Sequence, residues 1–334
     1  MIGITAIATQ SFSLSRQKGY WSFSKAWRAL VRIPRLLAYW PTQLVIFWML
    51  LSPNLRKLSL KQPILPFKYL RTNYLVKGLT ISARASALVH NYRYLLNTLG
   101  DEFLHKVLYD RAVLFESSEE NHRYSVDLSL SSPCYNEGEL TLTFKSADQV
   151  LYLLSFTFVP GEIVGSSAST VILVSRLQGT YGCYPQIREA MKALNGISLP
   201  MFLMIALEGI AEAFDIYHLA GVAGAMQHKS SDTQIDTFQN VYDNFFVAAG
   251  ATKGASGFYC SILPLQEKSL NLVNSCNRCR SKVQRKLKRQ VAREVYFLLR
   301  ENKKRRCSDT YSRLARQVAL LDRNLSIINA EPSW

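Results

Sequence analysis

Not one aspartate or glutamate occurs before Asp101, although the same stretch carries fourteen lysines and arginines. Over residues 101–275 the balance reverses, with nineteen acids against ten bases, and residues 276–334 return to sixteen bases against five acids. The formal net charge of +16 therefore hides a mildly acidic middle between two basic arms. Such arms suit an anionic partner: a lipid surface, a nucleic acid or the chain's own acidic middle. No zinc-finger spacing and no RNP-like aromatic strand accompanies the charge, which places nucleic acid behind the membrane surface as a partner.

Long apolar runs are scarce as well. Leu44 to Leu51 is the most apolar run; extended back to Leu36 it spans only sixteen residues, and Pro41 interrupts it. A membrane-crossing helix needs about 20 apolar residues, so a buried or membrane-dipping segment is expected instead. Upstream, Phe23 to Tyr39 mixes Trp27, Leu30, Val31 and Leu37 with Lys25, Arg28, Arg32 and Arg35, a composition suited to an interfacial helix. The apolar Met1 to Ile7 has no positive residue before it and makes a poor secretory signal, so the protein is expected in the cytoplasm, peripheral to a membrane.

Cysteine is sparse and scattered. Cys134, Cys183 and Cys260 read as free thiols of a reducing compartment. Cys276 and Cys279 form a lone C-x-x-C, two ligands short of a structural zinc site unless Cys307 and distant histidines contribute. No metal is expected. Equally absent are G-x-S-x-G, H-E-x-x-H, a P-loop and G-x-G-x-x-G, which removes the common hydrolase, zinc-protease and nucleotide signatures.

What is present is a change of texture along the chain. Pro34, Pro41, Pro53, Pro63 and Pro66 break residues 1–105 into short helical pieces, with Ile81 to Leu99 as one longer helix. Val107–Phe115, Tyr124–Leu130, Leu140–Phe144 and Val150–Phe158 read as strands, and Ser131 to Gly138 as a turn. From Thr170 to Pro264 strands and helices alternate: a strand to Gln178, a helix from Met201 to Phe214, a strand from Ile216 to Val222, a helix around Tyr242, and a strand from Gly257 to Leu263. In such an arrangement ligands gather at the carboxyl ends of the strands, where Gly179, Gly196 and Gly224 would lie. Residues 276–334 form a basic helical region whose stripe is Val283, Leu287, Val291, Val295 and Leu298. The expected class is α+β: a mixed, largely antiparallel sheet with flanking helices over residues 106–275, between a helical N-terminal region and a long basic helix.

Several of these segments carry a resemblance. Arg176-Leu-Gln-Gly179, the Ile187-to-Gly196 helix, Leu219-Ala-Gly-Val222, Tyr242-Asp-Asn-Phe245 with Gly250, and Gly257-Phe-Tyr259 before Leu263-Pro264 resemble the VirK/YbjX family. Arg84, His90 and Tyr92 are similar to an upstream motif of that family. Two departures stand out: Ser198-Leu199-Pro200 replaces an Arg-Pro-Lys, and the loop after Val222 reads Ala223 to Lys229 without the usual pattern. The resemblance implies a protein of the bacterial cytoplasm, peripheral at the inner membrane, with a role in virulence or envelope stress, including resistance to host antimicrobial peptides.

The order of elements is also similar to the GCN5-related N-acyltransferase fold. That resemblance implies acyl-coenzyme A as cofactor and an amine of a small molecule or protein as acceptor. Asn195 and Gly196, heading the Met201 helix, would hold pyrophosphate on backbone N–H groups. Tyr242 would be the general acid that protonates the departing thiolate. Arg176, Gln178 and Gly179, at a strand end, would bind substrate or cofactor. No base is evident; Glu162, Glu189 and His228 are candidates that also suit a plain surface role. Tyr242 equally suits a core aromatic at helical spacing, and His90 an internally bonded histidine. The alternative is a non-catalytic protein that uses its basic arms on a peripheral membrane or nucleic-acid target.

Overall fold

In the computed structural model the described residues are 39–119, 122–132, 136–227, 239–267, 269 and 274–304. The interfacial helix expected upstream of Tyr39, the loop with His228, Cys134, Cys307 and the last thirty residues lie outside them, as does the Cys276 side chain.

The N-terminal layer is built of short helical pieces, as the prolines require. Helix α1 (Trp40–Leu50) and α2 (Pro53–Lys61) each begin with a proline in the first turn, where its missing N–H costs nothing. A 3-10 turn follows (Leu65–Leu70), then α3 (Ile81–Thr98), whose N-cap Thr80 accepts the Ala83 amide. Residues 101–109 form α4 (Asp101–Tyr109) rather than the start of a strand. Asp101 and Glu102 in its first turn complement the helix dipole, and Phe103, Leu104, Val107 and Leu108 share one buried face; these outweigh the β-propensity of Val107.

The sheet begins with four antiparallel strands, β1 (Ala112–Glu119), β2 (His122–Leu130), β3 (Leu140–Ser146) and β4 (Gln149–Val159), and β5 (Val171–Gly179) pairs antiparallel with β4. After α5 (Tyr184–Ala193) and α6 (Leu199–Ala213), β6 (His218–Gly221) joins β5 in parallel. A turn of π-helix (Gln239–Asp243) runs into α7 (Asn244–Ala248). β7 (Thr252–Lys253) and β8 (Tyr259–Ile262) complete eight strands in the order β1-β2-β3-β4-β5-β6-β8-β7. β8 is antiparallel to β6, so β5–β6 is the one parallel pair of this sheet.

One face of the sheet presents Phe144, Leu154, Phe156 and Phe158 to α6, where Phe202 meets the Phe115 and Phe144 rings edge-on at 5.8 and 5.5 Å. Eleven of the fifteen α6 residues are buried, because a second layer lies over it: the helix α8 (Ser275–Glu301). Val291, Val295 and Leu299 of α8 are wholly buried, whereas Val283 is 44% exposed, so the apolar stripe serves only the C-terminal half. Gly209 of α6 permits the contact, since a Cβ there would come within 2.5 Å of the Ala292 carbonyl. A mid-helix glycine costs about 1 kcal/mol, less than the roughly 1.5–3 kcal/mol gained for each large side chain the close approach buries. The end of α8 is tied back to the α3–α4 junction by Gly100 N–H to Asn302 O (2.8 Å) and Lys304 N–H to Thr98 O (2.8 Å). A continuous buried cluster therefore runs from Ile46 to Leu299.

Candidate active site at the open end of β5

The register of the central strands contains one irregularity that shapes the site. Ser155 on β4 faces Arg176, but Phe156 faces Val174, so Ser175 is an extra residue in β5. A bulge of this kind bends its strand and interrupts pairing. On the other side of β5 the parallel register runs Ile172–Leu219, Leu173–Ala220 and Val174–Gly221, and ends there. Beyond the bulge, β5 continues for four residues without β6 beside it.

Two side chains take over where β6 stops. Gln227 donates its amide N–H to Ser175 O (3.0 Å), and the Leu177 backbone N–H donates to the Tyr242 hydroxyl (3.1 Å). Tyr242 is held in place by its neighbours: Asp243 Oδ1 accepts the Gly224 amide at 2.7 Å, and Phe246 stacks on Tyr259 at 5.8 Å beneath Gly221. The Tyr242 ring is buried, but its hydroxyl meets strand backbone rather than hydrocarbon. Burial is the main cause that raises its pKa; the Leu177 bond pulls it down, the Glu137 charge adds to the rise, and Arg176 counters it.

Arg176 reaches from β5 into the same region. Its Nε donates to Gln178 Oε1 at 2.9 Å, its Nη2 contacts the same oxygen at 2.5 Å, and its guanidinium lies 3.9 Å from Glu137. Arg176 and Glu137 are buried, whereas Gln178 is exposed, so the cluster grades from interior to solvent along β5. Past Gly179 the chain turns through Gly182 (φ +80°) into the N-terminus of α5, with Tyr181 and Tyr184 exposed and Cys183 at the cap.

Asn195 and Gly196 lie elsewhere. Both adopt positive φ, 55° and 81°, and the Gly196 amide donates to Met191 O at 2.7 Å. They end α5 rather than begin α6, and that N–H is already used within the helix cap. α8 closes over them: Arg280 Nε and Gln284 Nε2 each donate to Asn195 O at 2.8 Å, and a Cβ on Gly196 would collide with the Arg280 guanidinium. The expected open amides at Gly196 are thus not present. Of the residues singled out in the sequence, Arg176, Gln178, Gly179 and Tyr242 come together, and Asn195 and Gly196 do not join them. Glu162 and Glu189, weighed as bases, are exposed on a 3-10 turn and on α5. Glu137 and Gln227 were not singled out; Glu137 sat in a stretch that reads as a plain turn, and no local pattern marks either residue.

The upstream motif has packing roles. Arg84 donates to Arg71 O, His90 Nε2 lies 3.1 Å from Thr170 Oγ1, and the Tyr92 hydroxyl donates to Glu139 Oε2 at 2.7 Å. Burial, then Arg93, lowers the His90 pKa. Glu139 also pairs with Lys68 at 2.7 Å, both buried, and Tyr74 borders the pair. Burial, reinforced by Glu139, raises the Tyr74 and Tyr92 phenols well above their ordinary value.

A shallow pocket of about 120 Å³ lies on β1–β3, lined by Arg111, Asp127 and Lys145 among others. Lys145 and Arg111 already face Asp127, at 2.5 and 3.9 Å, so its charges are matched within the protein. Among the described residues no group of three or more His, Cys, Asp or Glu could hold a metal, and Cys183, Cys260 and Cys279 are free thiols.

Residues 22–296 match the model of a family described as a protein of unknown function, DUF535, the domain of VirK/YbjX proteins. The chain belongs to the VirK/YbjX family. That match covers the N-terminal helical layer, the whole sheet and most of α8, so in this VirK/YbjX protein the bulged β5, Tyr242 and the buried Lys68–Glu139 pair all fall within the family domain. No curated protein and no solved structure matches it.

Proposed function

We propose that this protein is an acyl-thioester-dependent N-acyltransferase-like enzyme of the bacterial cytoplasm, serving envelope adaptation and resistance to antimicrobial peptides. Family membership supports the biological setting. The chemical reading rests on one observation, the loss of β6 pairing beyond the Ser175 bulge. Gln227 and Tyr242 already take the Ser175 carbonyl and the Leu177 amide, so an extended, amide-bearing arm would pair with β5 only past Leu177, as in strand-addition binding. The pantetheine arm of acyl-coenzyme A is such a chain. Its pyrophosphate would meet the turn before α5 at Tyr181 and Gly182, beside the positive end of the helix dipole, since the Thr180 and Cys183 amides already donate to Leu151 O and Thr180 O. This replaces Asn195 and Gly196 as the anion-holding element.

In this reading the acceptor amine attacks the thioester carbonyl, forming the C–N bond. The tetrahedral intermediate then expels the thiolate, and the amine nitrogen gives up a proton. Tyr242, kept protonated by its raised pKa and aligned by Leu177, supplies the proton that the leaving sulfur takes. Glu137 is the nearby carboxylate suited to receive the proton of the amine, and Arg176 holds it in position. The acyl thioester would supply the activated carbonyl, and coenzyme A would leave as the free thiol. Calorimetry with acetyl- and palmitoyl-coenzyme A tests this directly. Saturable heat with either supports the reading; no heat from both, with an unchanged melting temperature, removes it.

A further inference from the structure

The outer face of α1 carries a second message, independent of the β5 site. Gln43, Ile46, Met49 and Leu50 point inward and are buried, while Trp40, Leu44, Trp48 and Leu51 are 40, 48, 66 and 67% exposed. The spacing of four, four and three places these four on one stripe of the helix. The only polar residues of α1 are Thr42 and Gln43, and Gln43 is spent inside, donating to Pro66 O and accepting from Tyr69. Only Leu51 and Ser52 separate α1 from α2, where Leu60 is 68% exposed and Arg56, Lys57 and Lys61 are exposed beside it. The result is an apolar ridge with two indoles, bordered by cations.

We propose that this ridge docks onto an anionic bilayer surface, with α1 lying in the interface and Arg56 and Lys57 over the headgroups. Charge selects the occupant. Residues 1–38 contain six bases and no acid, so the chain's own N-terminus offers these cations no counter-charge, and a second copy would bring the same positive border. Shape agrees: eleven residues at 1.5 Å each give about 16 Å, half the hydrocarbon thickness. Among the described residues no helix is long and apolar enough to cross a membrane. Indole rings sit well at the boundary, their faces in the acyl region and their N–H groups toward water. An acidic protein would satisfy the cations but not a ridge whose only hydrogen-bonding groups are two indole N–H donors.

The full-length protein should float with vesicles of phosphatidylcholine and phosphatidylglycerol and bind far less to phosphatidylcholine alone. The double variant Leu44→Asp/Trp48→Asp alters exposed positions only; its partition should fall at least tenfold, with the melting temperature kept. Arg56→Glu/Lys57→Glu should lose roughly fivefold or more per residue and make binding less sensitive to salt. Brominated lipids should quench a share of fluorescence that Trp48→Phe abolishes. Vesicle binding that both double variants leave unchanged, or no quenching of Trp48, overturns the proposal. So does a dimer in sedimentation that Leu44→Asp/Trp48→Asp converts to monomer, which would make the ridge a self-association surface.

Discussion

Glu137 and Glu139 lie two residues apart on the same connection between β2 and β3, yet they end in opposite circumstances. Glu139 is sealed in, paired to Lys68 at 2.7 Å and bonded by the Tyr92 phenol, with both charges almost wholly removed from water. Glu137 stands 3.9 Å from Arg176, whose other partner, Gln178, reaches solvent at the end of a strand that has lost its neighbour. A buried ion pair with phenols packed around it fixes where the N-terminal layer sits on the sheet. The Arg176–Glu137 pair is also buried but longer, and it stands where β5 has lost its neighbour. Proximity in sequence does not assign these positions; long-range partners do.

The comparison breaks most visibly at Lys68. Lys68→Met would strand the Glu139 carboxylate in the interior and should cost about 3–5 kcal/mol in denaturant unfolding, since removing one partner of a buried pair leaves the other uncompensated. Binding at the β5 end should survive in whatever fraction stays folded.

A third carboxylate calibrates the pair. Glu208 on α6 accepts the Leu265 amide at 2.8 Å, and burial pushes its pKa from 4.5 to about 7, opposed by the Leu265 bond and Lys288. Because the folded form holds its proton more tightly than the unfolded chain, its stabilising effect is full below about pH 4.5 and fades as pH rises through 7. The loss is on the order of 2 kcal/mol after allowing for partial exposure. Glu208→Gln should flatten that part of a stability–pH curve while keeping an acceptor for Leu265.

At the open site, stability should move less and activity more. Arg176→Gln removes the cation beside buried Glu137 and should cost about 2 kcal/mol. Tyr242→Phe deletes one bond to Leu177 and should cost about 1 kcal/mol in unfolding experiments. The same change should lower acyl transfer by roughly a hundredfold or more in turnover assays with the KM for the thioester little changed, the pattern of a lost proton donor.

Much of the sheet was legible because β2 and β3 alternate polar and apolar residues while β4 and β5 carry apolar runs. α4 was misread since Val107 and Leu108 suit a strand in isolation; the acids after Gly100 were the better signal. The direction of β8 cannot be read from alternation alone, because tertiary packing decides whether the chain returns alongside β6 or against it. At the site, Arg176, Gln178 and Gly179 were recognisable as a strand end. Asn195 and Gly196 could be read both as the end of the Ile187 helix and as the head of the Met201 helix, since a glycine between two helical patterns marks an end as readily as a beginning. Glu137 and Gln227 reach the site through long-range packing, 39 and 52 residues from Arg176 and Ser175 respectively, and nothing local announces them.

Hydrogen exchange over β5 and the following turn, measured with and without acyl-coenzyme A, bears most directly on the central claim. Slower exchange confined to Leu177 through Cys183 on adding ligand, lost in Tyr242→Phe, is the expected result. Unchanged exchange there, or protection appearing instead at Asn195 and Gly196, would contradict it.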